Sequence, residues 1–217
     1  LGACEAVVRA LVEHMSVSDV AQWACGAIMN LSFDNAENSA LLGGLGACEA
    51  VVRALVEHMS VSDVAKEACG AIYILSSNNA ENSALLGGLG ACEAVVRALV
   101  EHMSVSDVAE DACGSIMNLS NNNENSASLG RCGACEAVVR ALVEHMSVSS
   151  VAQWACGSIM NLSYNCPENW ASLGRLGACE AVVRALVEHM SVSDVAEDAC
   201  GSIMNLSNNN ENSASLG

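Results

Sequence analysis

The stretch LGACEAVVRALVEHMSVSDVA, residues 1–21, decides the fold because it comes back. It starts again at 45 and at 89, returns as CGACEAVVRALVEHMSVSSVA from Cys132, and resumes its first form at 176. Starts at 1, 45, 89, 132 and 176 are 44, 44, 43 and 44 residues apart. A fixed period in this range means a stack of identical supersecondary units, each burying its apolar face against its neighbours. The 217 residues are therefore read as a single array, not as one or two ordinary globular domains. Neither end shows a polar capping repeat, so the array is expected to continue on at least one side.

Three helices are legible in each unit. Cys4, Val7, Val8, Leu11 and Met15 recur at helical spacing and predict a helix over 4–15, with Glu5, Arg9 and Glu13 on its solvated side. Ser16 and Ser18 are candidate N-caps for the next helix, over about 19–31. Its buried stripe is Val20, Ala21, Ala24, Cys25, Ile28 and Leu31. A polar loop follows, then a short helix over about 37–42 that stops at Gly43 and Gly44. Gly46 allows the bend into the next unit. One proline in the chain leaves these helices uninterrupted. The last residues, 213–217, fall in the linker toward a further unit.

A short helix, a glycine corner and two longer antiparallel helices resemble the armadillo repeat. Two strings carry the resemblance. ENSALLGGLGA, residues 37–47, is similar to the family's first helix and corner, and VAQWACGAIMNLS, residues 20–32, to its third helix, which ends in an asparagine. The resemblance covers the whole chain and is nearest to variants frequent in unicellular eukaryotes. HEAT repeats, the nearest alternative, have two helices and no glycine corner. The resemblance implies an all-α, right-handed superhelical solenoid whose third helices line a concave groove. Family members bind extended peptides in that groove. By resemblance, the side-chain amides of Asn30, Asn118, Asn161 and Asn205 would bond a ligand's backbone; in the second unit Ile74 stands in that place. Four residues earlier, where the family often has tryptophan, the chain has Gly26, Gly70, Gly114, Gly157 and Gly201. A stacking ladder for lysine side chains is thus missing, which counts against an import receptor.

One column varies inside an otherwise constant repeat: Trp23, Glu67, Asp111, Trp154 and Asp198. It lies seven residues before the asparagine position, about two helical turns, and so shares its face. Two tryptophans and three acids suit a ligand with basic and apolar groups. The chain carries 25 acids against 8 bases, a formal charge of −17. That disfavours nucleic acid and anionic membrane and favours a basic protein or peptide partner. No apolar run approaches the ~18 residues of a membrane span. The alternative to a peptide-binding adaptor is a scaffold that holds a larger assembly through its outer faces.

Ten of the twelve cysteines form two columns, Cys4, Cys48, Cys92, Cys135, Cys179 and Cys25, Cys69, Cys113, Cys156, Cys200. Stacked helices sit ~8–10 Å apart, too far for disulfides within a column, so the thiols read as small buried apolar groups in a reducing compartment. Cys132 and Cys135 make a C-x-x-C without the strand–helix context of a redox motif, and with Cys166 they carry no role. His14, His58, His102, His145 and His189 repeat near a helix C-terminus, where the dipole favours them. Residues one unit apart cannot share a metal, so no metal or cofactor is expected. The Asn-Leu-Ser sequons lie inside the third helix and read as unused. No catalytic grouping stands outside the repeated template, so the chain is not expected to be an enzyme.

Overall fold

The computed structural model describes residues 2–164 and 166–216, and among them fifteen helices and no strand. The sequence positions Leu1 and Gly217, named above as start and end, lie outside the described residues. Second helices of the five units are α1 (Ala3–Glu13), α4 (Ala47–Glu57), α7 (Ala91–Glu101), α10 (Ala134–Glu144) and α13 (Ala178–Glu188). Third helices are α2 (Ser18–Ser32), α5 (Ser62–Ser76), α8 (Ser106–Leu119), α11 (Ser149–Ser163) and α14 (Ser193–Leu206). The first helices, which lead into the following unit, are α3 (Ala36–Gly44), α6 (Ala80–Gly88), α9 (Asn123–Arg131), α12 (Pro167–Arg175) and α15 (Asn210–Leu216). The last of these corrects the sequence reading: 213–216 belongs to a helix, because its residues repeat those of α9.

The third helices pack on one another more closely than any other set. Small residues permit the approach: Ala65, Ala68, Cys69, Gly70 and Ala71 are all buried along α5. Ile72, Leu75 and Leu55 fill the space between third and second helices and are fully buried, as are Ile116, Leu119 and Leu99 in the next unit. Each such side chain contributes about 1.5–3 kcal/mol of transfer free energy.

Caps differ between the helix types. Ser16 and Ser18 do not cap α2; its N-cap is Val17, in extended conformation and with no side-chain bond. The tight turn closes instead through the Val17 N–H donating to the His14 carbonyl at 2.9 Å. Among the first helices, α3, α6 and α9 carry side-chain caps. Asn35 Oδ1 accepts from the Asn38 N–H at 2.9 Å, and Asn79 and Asn122 do the same for α6 and α9. In α12 Cys166 cannot cap, and Pro167 starts the helix where a missing N–H costs nothing. The corner glycine works as expected: Gly46, Gly90, Gly133 and Gly177 have φ between 80° and 88°, a region glycine enters without strain.

Side chains tie each unit to the backbone of the one before. His58, His102, His145 and His189 bond through Nε2 to the carbonyls of Met15, Met59, Met103 and Met146, each at 2.7 Å. The histidine column is thus an inter-repeat clamp beyond any dipole effect. Asn82 Nδ2 donates to the Ser39 and Leu75 carbonyls, at 3.0 and 3.1 Å. Its Oδ1 rests where a side chain on Gly43 would stand. The same contact recurs between Asn125 and Gly87, Asn169 and Gly130, and Asn212 and Gly174. The neighbouring position is open: a Cβ on Gly44 or Gly88 meets nothing. The chain accordingly has arginine there in the later units, Arg131 and Arg175.

Candidate functional site

The varying column lies along the third helices as its spacing requires. Trp23 is 73% exposed, while Glu67, Asp111, Trp154 and Asp198 are half-buried. Beside Asp111, Trp154 and Asp198 stand members of a second column that the sequence reading passed over: Met29, Tyr73, Met117, Met160 and Met204. The two columns meet over the third-helix glycines. A Cβ on Gly70 would strike Met29 from the preceding unit and touch Asp111 from the following one. Gly157 lies in the same way between Met117 and Asp198. At Gly114 the preceding unit supplies Tyr73, whose ring meets that of Trp154 at 5.1 Å between centroids and 59° between planes. The glycines that replace the family's tryptophan are therefore a floor, and side chains from the two flanking units close over it. Such an aromatic pair adds about 0.5–1.5 kcal/mol beyond its buried area.

Acids flank the aromatic pair. Burial, then the like charge of Glu110, pushes the Asp111 carboxyl up to about 7, with Lys66 acting against the rise. Burial, then Glu197 and Asp194, takes Asp198 to about 6. Burial and then these two carboxylates, Asp111 and Asp198, also push the Tyr73 phenol up. Lys66, the chain's one lysine, stands 3.5 Å from Asp107 and 4.0 Å from Glu67.

The asparagines are placed on this face but already hold partners. Asn118, Asn161 and Asn205 each donate through Nδ2 at 2.9 Å to a carbonyl of the preceding unit: Tyr73, Met117 and Met160. Asn161 also donates to Asn121 Oδ1 at 3.2 Å. Asn30 is exposed. Beside the asparagine row, the loops leaving the third helices enclose two open clefts. One of about 320 Å³ is lined by Phe33, Asp34, Tyr73, Ile74 and their neighbours. The next, about 470 Å³, carries the amides of Asn78, Asn79, Asn118, Asn121 and Asn122. Neither was read from the sequence, where the loops passed as polar connections. The signal for Tyr73 was present: it alone interrupts a column of methionines.

The cysteine columns are core. Nine of the ten are buried, and Cys200, on the last unit, is exposed. Burial pushes Cys25, Cys113 and Cys156 up to about 12, so they stay protonated and unreactive. Among the described residues no three His, Cys, Asp or Glu side chains gather as a metal would require. No single described helix is long and apolar enough to cross a membrane.

Known structures share this geometry. An engineered protein solved by crystallography superposes with a TM-score of 0.85 at 24% identity, over 100% of this chain and 86% of its own. A designed armadillo repeat protein in complex with the peptide (KR)4 gives a TM-score of 0.78 at 27% identity, over 94% of this chain and 82% of its own. Computationally designed armadillo repeat proteins for modular peptide recognition give 0.81 at 24% identity, over 98% and 86%. The fold is an armadillo-like α-solenoid. No protein-family model matches the chain, and no curated protein does. The armadillo-like array differs from the family pattern quoted above in its glycine floor and in the asparagines that bond between units.

Proposed function

We propose that this solenoid is a protein-interaction module, not an enzyme, and that it holds an extended basic segment of a partner along its third-helix face. The observation that carries the reading is the aromatic pair Tyr73–Trp154 set beside Asp111 and Asp198, two half-buried acids with no basic side chain bonded to them in the described structure. A lysine or arginine of the ligand would supply the charge that burial withholds, and stack on the rings. The designed relative with (KR)4 supports the ligand class. Asn30, Asn118, Asn161 and Asn205 serve this face with Trp23 and Glu67. The donor that Asn118 and Asn205 each spend between units leaves one N–H and the Oδ1 for a ligand, while Asn161, which donates twice, offers its Oδ1. The loop amides of the clefts add others. A reducing compartment is part of the same proposal, supported by the buried, protonated thiols.

A peptide-array screen tests it. Basic peptides should bind the wild type, weaken with salt as charges are screened over ~8 Å, and lose at least about tenfold in Trp154→Ala. Affinity should rise with pH through about 6 and about 7, because ionised Asp198 and Asp111 bind the cation and protonated ones do not. No enrichment of basic peptides at low salt overturns the reading. A scaffold is the second reading. Val12, Val56, Val100 and Val143, each 48% exposed, put an apolar row along the outer helices, where a folded partner would dock.

A further inference from the structure

Three consecutive glycine floors differ in what closes over them. Gly70, Gly114 and Gly157 belong to the second, third and fourth units, so each has a unit on either side within the chain. Over Gly70 the preceding unit sets Met29 and the following one Asp111. Over Gly157 the same two residue types return as Met117 and Asp198. The carboxyl carbon of each aspartate stands 3.5 Å from where a Cβ on its glycine would be. The middle floor is of another kind: Tyr73 comes from one side and Trp154, in the place of the aspartates, from the other. The order along the third helices is thus acid, aromatic, acid, with one station per unit. Both aspartates are half-buried, and Lys66 is engaged by Asp107 and Glu67 instead.

The spacing of these stations suits an extended chain. Extended backbone turns every second side chain to the same face, a step of ~6.5–7 Å. Helices packed through small side chains stack toward the near end of ~8–10 Å, and Ala68, Cys69, Gly70 and Ala71, buried along α5, make this such a stack. One inward-facing ligand residue therefore meets each station, and long basic side chains take up the difference of ~1–2 Å per step. A cation on the middle station would lie a full stacking step, ~8 Å, from either aspartate, which is about the screening length at physiological salt. An aliphatic side chain there covers the ring faces and is taken out of water by them.

We propose that the segment selected by this groove carries three alternate residues in the order basic, apolar, basic, Lys-x-Leu-x-Lys in its simplest form. The two cations pair with Asp111 and Asp198, their stems against the rings, and the apolar side chain covers the Tyr73–Trp154 pair. The proposal rests on the peptide reading above and adds a register to it. The pattern is the same read in either direction, so it sets spacing and not chain polarity.

Fluorescence anisotropy with labelled peptides on the whole chain tests it, at low salt. Three peptides share one length and composition and differ only in order: Lys-x-Leu-x-Lys, Lys-x-Lys-x-Leu and Lys-x-Leu-x-x-Lys, with alanine and serine elsewhere. The first should bind at least about fivefold more tightly than the other two. Asp198→Asn should remove most of that advantage. Tyr73→Met/Trp154→Asp gives the middle floor the side chains that already close over Gly70 and Gly157, so the array has the packing for it. The affinity ratio of Lys-x-Lys-x-Lys to Lys-x-Leu-x-Lys should then rise at least about tenfold over its wild-type value, with the helical circular dichroism kept. Equal binding of the three isomers, or a ratio unmoved by the double substitution, overturns the register and leaves the peptide reading standing. No binding of any of these peptides overturns both.

Discussion

Asn82 shows how much of the stacking rests on single residues. It is 3% exposed, and its amide reaches two carbonyls while its oxygen fills the hollow left by Gly43. Asn82→Ala removes the buried amide that bonds both carbonyls and should cost about 1–3 kcal/mol in denaturant unfolding. The paired glycines give a sharper test because their environments are opposite. A Cβ on Gly87 would run into Asn125, while one on Gly88 meets nothing and the backbone is ordinary helix. Gly88→Ala should therefore stabilise by up to about 1 kcal/mol, and Gly87→Ala should destabilise. Equal effects would mean that Asn125 moves aside freely. None of this was legible in the sequence. Gly43 and Gly44 read together as a stop signal, and only the neighbouring unit distinguishes them.

At the scale of elements, periodicity carried the reading well and caps did not. The stripe Cys4, Val8, Leu11 and the stripe Ala21, Ala24, Cys25, Ile28 are the buried faces of α1 and α2. Buried stripes are local in sequence, so 3.6-residue spacing reveals them. The serines at 16 and 18 looked like caps because of their residue type, but the turn satisfies its backbone through Val17 and leaves the hydroxyls out. The pairing of Tyr73 with Trp154 joins units two apart and has no local signature. That face also carries a pH dependence. Asp111 has its folded value raised to about 7 from an ordinary 3.8, so the folded state binds the proton more tightly. Its protonated form favours folding most fully at low pH, and that contribution is lost as pH rises to about 7. Asp111→Asn should then raise the melting temperature at pH near 8 and change it little near pH 4, read by calorimetry at both. An equal gain at both would assign the effect to something other than ionisation.

For the whole molecule the governing fact is that each unit touches only its neighbours, so stability sums over units and over the junctions between them. The third unit has two junctions and the first has one, although their sequences nearly agree. Val95, Val108 and Ile116 in the third unit are fully buried, whereas Val7 and Val20 in the first are only half-covered. Opening α1 therefore exposes less apolar surface than opening α7, and breaks no histidine bond to an earlier unit. Hydrogen exchange on the dilute protein should follow: amides of α1 and of α13 to α15 fastest, those of α5 and α8 slowest. Uniform protection along the array would mean that the units do not open independently, and the nearest-neighbour account would fail.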